Sequence, residues 1–171
     1  MTSLTSGRST EGKNLVAFEV GDILYAVDIA RVREIIRPMR TMTLPHLPPS
    51  VVGVADHRGD VVPIIDLRMR FALDDATRPR AQRWVIVKKD ERLTGLVVDT
   101  VTEVFGDDAP QERQLPELGA GDVARGLSSV YSHRGRLVFV LDVDILVAAG
   151  EQIDVADARQ QLSSWRPDAA G

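Results

Sequence analysis

Residues His57–Asp66 read HRGDVVPIID, and residues His133–Asp142 read HRGRLVFVLD. The two copies begin 76 residues apart (133 − 57), close to half of the 171-residue chain. In each copy an Arg-Gly pair, typical of a tight turn, precedes a short apolar run and an aspartate suited to begin a helix. The repeat therefore predicts two related halves, each with a hairpin that ends at an aspartate.

Upstream of the first copy, LVAFEVGDILYAVD contains two β-rich runs joined at Gly21-Asp22. This pattern predicts a hairpin, because glycine adopts the positive φ that a tight turn can require. Asp28 follows as a helix N-cap, and the apolar spacing in IARVREII predicts a short helix that ends before Pro38. The proline-rich segment TMTLPHLPPS then predicts an extended connector.

The first copy itself predicts strand, turn at Arg58-Gly59-Asp60, strand, and a helical turn capped by Asp66. Pro63 lies inside the second of these strands, where its missing N–H requires an edge position or a bulge. The charged segment DDATRPRA, residues 74–81, marks the boundary between the halves.

The second half repeats the order of the first, with Asp99 at the place of Asp28 and a capped helix after Asp142. About ten short strands in two halves, residues 14–75 and 83–149, predict an all-β fold of two small β-barrels that share an interface. Short helices accompany the strands.

Two terminal segments stand outside this pattern. Residues 1–13 are rich in Ser, Thr and Gly and predict a flexible leader. Residues 150–171 predict a partly helical extension, because Val155, Ala158, Leu162 and Trp165 follow helical spacing up to Pro167. Docking of this stripe on the chain's own barrel is favoured over binding of a partner, and both interpretations stay open.

The composition excludes several classes of protein. The chain has no cysteine, so it has neither disulfides nor thiolate metal sites. Its net charge of −4, with mixed acids and bases, argues against nucleic-acid binding. No apolar run approaches the roughly 18–20 residues that span a bilayer, and no secretory signal is present. These features predict a soluble cytoplasmic protein without direct membrane insertion.

An enzyme would have to rely on His57, Asp66, His133 and Asp142, because the chain has only three histidines. The His and Asp of one copy lie roughly 25–30 Å apart along an extended strand, too far for a catalytic pair. Turn and cap chemistry explains these residues, so we predict no catalytic residue, no metal and no cofactor. A small barrel enzyme or metal protein that pairs His57 with His133 remains the rival hypothesis.

Four blocks together resemble the CheW family of bacterial chemosensory adaptors: LVAFEVGDILYAVDIARVREI, VVGVADHRGDVVPIIDLRMRF, GLVVDTVTEV and GLSSVYSHRGRLVFVLDVDIL. The likeness runs from about Asn14 to about Ala149. It implies two five-stranded SH3-like β-barrels around a common core. It also implies a non-catalytic adaptor, located in the cytoplasm at membrane-attached receptor arrays, that joins a chemoreceptor's cytoplasmic tip to the regulatory domain of a CheA-type histidine kinase.

The resemblance also implies site residues. Val32 and Glu34 occupy the family's V-x-E positions, Gly53 its glycine, and Arg58-Gly59 the end of its N-L-R-G signature. Partner contact is implied for all five. An exposed arginine on a rigid turn would offer a planar donor fork to partner carboxylates, and a glycine nearby would let a partner helix approach closely. We expect a groove lined by apolar strand residues and ringed by Glu34 and Arg58.

Each of these residues also has a structural alternative. Val32 could anchor the predicted short helix to the core, and Glu34 could be an ordinary solvated charge. The chain departs from the family at Asp56-His57, where Asn-Leu is usual. These two residues are specificity candidates, although a solvent-facing His57 without a role is the favoured interpretation. The departure keeps open a divergent protein of a pilus or gliding pathway that binds receptors without activating a kinase.

Overall fold

The computed structural model describes residues 14–74, 78–105, 111–113, 120–150, 153 and 155–164. In this part of the chain there are eleven β-strands and four short α-helices. The strands are β1 Leu15–Val20, β2 Ile23–Asp28, β3 Val32–Ile36, β4 Val51–His57, β5 Asp60–Asp66, β6 Arg83–Lys89, β7 Arg92–Val98, β8 Thr100–Phe105, β9 Gln111–Arg113, β10 Leu127–His133 and β11 Arg136–Leu141. The helices are α1 Leu67–Arg70, α2 Ala120–Arg125, α3 Val143–Ala148 and α4 Val155–Ser164.

The strands form two sheets that exchange hairpins between the halves of the chain. Sheet A has the order β8-β1-β2-β11-β10-β9, and sheet B has the order β3-β6-β7-β5-β4. Hairpin β1–β2 from the first half thus joins the second-half strands, and hairpin β6–β7 from the second half joins the first-half strands. Parallel pairing of β2 with β11 and of β5 with β7 attaches the exchanged hairpins. The two barrels therefore do not coincide with the predicted halves 14–75 and 83–149.

Burial on both faces explains why the hairpins are exchanged. In β1, Leu15 and Ala17 pack inside the barrel of sheet A. Val16, Phe18 and Val20 point the other way, into an apolar cluster between the two sheets. A strand that is apolar on both faces needs cover on both sides, so it must lie between a barrel interior and a second sheet.

Three apolar clusters result, one inside each barrel and one between them. The interior of barrel A, formed by sheet A, contains Leu15, Ala17, Leu24, Ala26, Phe105, Tyr131, Val138 and Val140. The interior of barrel B, formed by sheet B, contains Ala55, Val62, Ile64, Trp84, Ile86, Leu93 and Val97. The shared core between the barrels includes Phe18, Tyr25, Val85, Leu96 and Leu141. The predicted all-β fold of two SH3-like barrels around a common core is confirmed, with three-residue β9 as a sixth strand in sheet A.

The predicted helix in IARVREII is mostly wrong. Asp28 does cap a helical turn, since its Oδ1 accepts a hydrogen bond of 2.9 Å from the Ala30 N–H, but that turn is a 3-10 turn over Ile29–Arg31 only. Residues Val32–Ile36 form β3 and pair with β6. β-Branched side chains favour strands, and pairing with a buried neighbour outweighs a helical spacing of apolar residues.

Two further expectations need correction. Asp99, the counterpart of Asp28, caps no helix, because β8 begins at the next residue and the Asp99 carboxylate binds elsewhere. Pro63 lies in β5, which is an internal strand of sheet B rather than an edge. The missing N–H is tolerated because the register of β5 with β7 begins only at Ile64.

Both Arg-Gly pairs form the predicted hairpin turns. The φ values are 53° at Arg58 and 88° at Gly59 in one turn, and 48° at Arg134 and 78° at Gly135 in the other. Two consecutive positive φ values are typical of the tight two-residue turns that match the twist of a hairpin. Asp66 and Asp142 cap α1 and α3, also as predicted.

The C-terminal helix α4 packs on the chain's own barrels. Ala158 is fully buried in the shared core, and Leu162 packs against the same cluster. The helix also contacts β5. This arrangement supports the interpretation that the extension docks on its own barrel. The predicted leader, the side chain of Val155 and residue Trp165 lie outside the described part of the structure.

Candidate functional site

Three of the predicted site residues meet at one point of barrel B. The Glu34 carboxylate, on β3, lies 3.0 Å through Oε2 from Nε2 of His57, at the end of β4. Its other oxygen, Oε1, accepts a hydrogen bond of 3.1 Å from Arg58, in the β4–β5 turn. We call Glu34, His57 and Arg58 the Glu34 seam.

The seam closes barrel B. Strands β3 and β4 are the two outer strands of sheet B, so no backbone ladder joins them. Glu34 pairs in register with Ile86, whose side chain lies in the barrel interior. Because residues paired across a ladder share a face, the Glu34 carboxylate points toward the barrel opening, where it meets the end of β4. Glu34 is therefore not an ordinary solvated charge.

His57 is buried, so the favoured prediction of a solvent-facing ring is wrong. Its side chain is only 11% exposed, because the imidazole turns across the barrel opening to reach Glu34. The hydrogen bond from His57, assisted by the positive charge of Arg58, holds the pKa of Glu34 below its usual value. The ionised carboxylate is the form that this arrangement favours.

Arg58 is the exposed member of the seam. Its side chain is 75% exposed, and one guanidinium nitrogen donates a hydrogen bond to Glu34. The neighbouring Asp56 stiffens the turn, since its Oδ1 accepts a hydrogen bond of 2.9 Å from the Gly59 N–H. The turn thus presents the rest of the Arg58 donor fork to solvent.

Gly53 does not leave room for a partner helix. A Cβ at this position would lie 2.7 Å from the carbonyl oxygen of Met42 and 3.1 Å from Cβ of Thr41. The connector occupies this space because Met42 forms a backbone bridge with Val54. Glycine is therefore required here for the close approach of the chain's own connector, and the expected approach of a partner helix to Gly53 does not fit.

Val32 packs against the shared core. Val32 therefore anchors its own element to the core, which agrees with the structural alternative stated for this residue. That element is strand β3 and not the predicted helix.

A groove of about 500 Å³ lies between β3 and β8, at the junction of the barrels. It is lined by Ile35, Pro79, Ala81, Arg83, Thr100 and Val101, together with Asp99. The expected ring of Glu34 and Arg58 is absent from this lining. The reason is the alternation of strand side chains, because Ile35 and Glu34 are consecutive and point to opposite faces of β3.

A second glutamate–histidine pair was missed from the sequence. In barrel A, Glu103 on β8 lies 3.6 Å through Oε1 from Nε2 of His133, at the end of β10. The His133 ring also contacts Phe105, with ring centroids 4.4 Å apart. Both halves carry V-x-E as well as His-Arg-Gly, as VREI and VTEV, so the joint repeat of two motifs was the available signal.

The rival hypothesis of a joint His57–His133 site does not fit this arrangement, since each histidine contacts the glutamate of its own barrel. Among the described residues, no three or more His, Asp or Glu side chains come together in a way that could hold a metal ion.

A buried ion pair joins the two barrels and was also not predicted. Arg68 in α1 is 2% exposed and donates a hydrogen bond of 2.6 Å to Oδ2 of Asp99. The same oxygen accepts a hydrogen bond of 2.8 Å from the N–H of Gly21, in the β1–β2 turn of sheet A. Arg68 therefore has a structural role beneath the surface, distinct from that of the exposed Arg58.

Comparison with known proteins finds similarity along most of the chain. A family model described as a CheW-like domain matches residues 14–151. The Chemotaxis protein CheW of Rhizobium meliloti (strain 1021) is 30% identical over 154 residues, which cover 89% of this chain and 98% of that protein. Protein FrzA of Myxococcus xanthus is 37% identical over 86 residues, 49% of this chain and 52% of that protein.

A solved structure is similar as well. The scaffolding protein TtCheW from Thermoanaerobacter tengcongensis superposes with a TM-score of 0.68 at 26% sequence identity. The aligned region covers 77% of this chain and 89% of that chain. The family match includes the strands of both barrels and ends before α4 begins.

Proposed function

Because the chain belongs to the CheW-like family, whose model matches residues 14–151, we propose that it is a non-catalytic adaptor of a chemosensory array. It joins the cytoplasmic tip of a chemoreceptor to the regulatory domain of a CheA-type histidine kinase, so that the receptor's state controls kinase autophosphorylation. The names of its relatives, a chemotaxis protein and a scaffolding protein, support this role.

The observation that carries the proposal is the presentation of Arg58. This arginine occupies the family's signature position, is 75% exposed, and is held by Glu34 on a rigid two-residue turn. A guanidinium fixed in this way forms hydrogen bonds to a partner's carboxylate at a low entropic cost. The geometry suits recognition better than turnover.

The groove between β3 and β8 supplies a second element of recognition. Ile35 is 42% exposed there, beside Val101, and Arg83 contributes a positive charge to the lining. An apolar strip between two strands suits the apolar face of an amphipathic helix. We assign this groove to the helical receptor tip.

The proposed place of action is the cytoplasm, at receptor arrays that are themselves attached to the membrane. In the part of the chain that the structure describes, no helix combines the length and apolar character needed to span a membrane. The protein would reach the membrane through its receptor partner.

The test is a calorimetric titration of the protein against a CheA-type kinase regulatory domain and a receptor cytoplasmic tip from the same organism. Arg58→Ala is expected to weaken binding of at least one partner about tenfold or more, as at an interfacial hot spot. Arg134→Ala is the matched control, because Arg134 occupies the equivalent turn of the second repeat. It should leave the affinity for that partner within about twofold.

Binding of both partners by the wild-type protein, with the loss confined to Arg58→Ala, would support the adaptor. If neither partner bound, the proposed function would be wrong, and the likeness to the family would describe the fold alone.

A second candidate is a divergent member of a pilus or gliding pathway that binds receptors without activating a kinase. The departure at Asp56-His57 favours it. In the same titration, this protein would bind the receptor tip but not the kinase domain. Addition of the protein to a receptor–kinase mixture would then lower autophosphorylation instead of raising it.

A further inference from the structure

His57 is the most buried member of the Glu34 seam. The ring is 11% exposed and lies within hydrogen-bond distance of Glu34, so it makes an internal contact and contributes little to the outer surface. A residue buried in this way can influence a partner only through its neighbours. The relevant neighbour is Glu34, which also binds Arg58.

The Glu34 carboxylate is occupied on both oxygens. Oε2 faces the His57 ring and Oε1 accepts from Arg58, while the Glu34 side chain is only 24% exposed. Each oxygen thus already takes part in one contact, and the low exposure of the side chain limits a partner's access to the carboxylate. Arg58, at 75% exposure, remains open to solvent on the rest of its fork. Within the seam, Arg58 is therefore the group most accessible to a partner.

Comparison with barrel A shows which contacts of the Glu34 seam are repeated in the second half of the chain. Glu103 and His133 lie in the same relation there, but at 3.6 Å, too long for a hydrogen bond. Among the hydrogen bonds and ion pairs of the described residues, none joins Glu103 to Arg134, the counterpart of Arg58. A glutamate beside a histidine at the barrel opening is thus common to both barrels. Among the described residues, only the glutamate of barrel B, Glu34, also binds the arginine of the neighbouring turn.

We propose that His57 is a positioning residue, which fixes the Glu34 carboxylate so that Glu34 in turn holds Arg58 for a carboxylate of the partner. This inference rests on the proposed function and names the chemistry of the contact, a carboxylate on an acidic segment of the receptor tip or the kinase regulatory domain. Because the Glu34 carboxylate accepts hydrogen bonds from two donors, loss of His57 frees its side chain to rotate, and Arg58 then loses its fixed orientation.

The binding test uses the full chain and whichever of the two partners depends on Arg58. His57→Leu is expected to weaken binding about five- to tenfold, the size of one lost positioning contact. His57→Gln, which keeps a neutral donor near Glu34, should restore most of the affinity. His133→Leu is the matched control in barrel A and should leave the affinity within about twofold, whatever it does to stability.

A double-mutant cycle decides whether His57 acts through Arg58. In an Arg58→Gln background, His57→Leu should cause no further loss, because the residue that His57 helps to position has already been removed. An equal loss with and without Arg58 would overturn the proposal, and so would wild-type affinity in His57→Leu. Increasing salt should weaken the wild-type complex more than the Arg58→Gln complex.

A measurement on the protein alone separates this inference from the proposed function. In NMR spectra, the Arg58 Nε–Hε signal should be distinct in the wild type and in His57→Gln. In His57→Leu it should move to the averaged position of a solvated arginine. If the wild-type protein bound neither partner, the adaptor function would fail, while this signal would still decide the positioning role. An unchanged Arg58 signal in a folded His57→Leu protein would disprove that role.

Discussion

Glu34 shows how one carboxylate can connect a barrel's architecture with its surface. It lies on an outer strand, faces the barrel opening, and binds one buried ring and one exposed guanidinium. The cost of partly burying the carboxylate is offset by these two donors, which is why its pKa lies below the usual value. The charge that closes the barrel is thus also the charge that orients Arg58.

The lowered pKa of Glu34 predicts an acid-dependent loss of stability. A carboxyl whose pKa is depressed in the folded state stabilises the fold fully above its unfolded value, close to 4.5, and loses that contribution as the pH falls through the folded value. Urea unfolding between pH 3 and 6 should therefore show wild type more stable than Glu34→Gln at pH 6, with the difference shrinking below pH 4.5.

Glu91→Gln is the control for this titration, since Glu91 is exposed in the β6–β7 turn. Its unfolding free energy should lie within about 0.5 kcal/mol of that of the wild type, as at other exposed positions. A gap between wild type and Glu34→Gln that stayed constant down to pH 3 would contradict the assignment of the shift to the seam.

At the scale of residues, local chemistry was predictable and contacts across the barrel were not. The Arg-Gly turns and the caps at Asp66 and Asp142 involve neighbours in sequence, so residue type alone indicates them. The contact of Glu34 with His57 joins residues 23 positions apart on strands that share no ladder. Single positions carry no signal for such a contact.

At the scale of elements, α4 lies beyond the residues that the family model matches. It begins after the family match ends, yet Ala158 has no exposed surface and Leu162 packs on the shared core. The helix is short and would be marginal alone, so its stability must come from docking.

Ala158→Asp should undock α4 and destabilise the protein by about 2 kcal/mol or more, because a charge would be placed in an apolar cluster. Gln160→Asp, an exposed position two residues further along the same helix, should change stability by less than about 0.5 kcal/mol. Chemical denaturation of both variants measures the difference. Equal effects would mean that α4 gains nothing from the contact at Ala158.

Elements were predictable where pattern and pairing agreed. The hairpin around Gly21 was found in this way, and helical spacing alone indicated the core-facing positions Ala158 and Leu162 of α4. The segment Val32–Ile36 was assigned to a helix because its apolar spacing fits one, but its partner strand, β6, begins 47 residues after Ile36 (83 − 36). Pairing with the distant strand β6 therefore determined that this segment is a strand, which its local spacing did not indicate.

At the scale of the whole molecule, the exchange of hairpins makes the barrels interdependent. Each sheet takes one hairpin from the other half of the chain, and Arg68 adds a buried ion pair between them. Neither half contains all the strands of a barrel.

Fragments 1–76 and 77–171 should therefore be largely unfolded when made separately and should assemble into a native-like complex when made together. Each fragment alone would expose the apolar faces that the other covers. Two-dimensional NMR spectra of the separate and mixed fragments test this, with the intact chain as reference. A well-dispersed spectrum from either fragment alone would contradict the interdependence.

The class of fold, the repeat and the number of barrels could be predicted because they depend on periodicity and on internal similarity. The exchange of hairpins could not, because both pairing schemes satisfy the same local pattern. The one hint was the composition of LVAFEV, which is apolar at consecutive positions instead of alternating. Such a strand requires cover on two sides, and the second cover comes from across the molecule.

The parallel pair of β2 and β11 has a consequence for synthesis on the ribosome. Leu24 is paired with Val138, so 114 further residues (138 − 24) must be translated before the first hairpin meets its neighbour. Until then an apolar hairpin with an unpaired edge is exposed, which is the situation in which nascent chains recruit chaperones and are prone to aggregation. The same pairing that joins the barrels in the finished protein makes its folding wait for the last of the described strands to emerge.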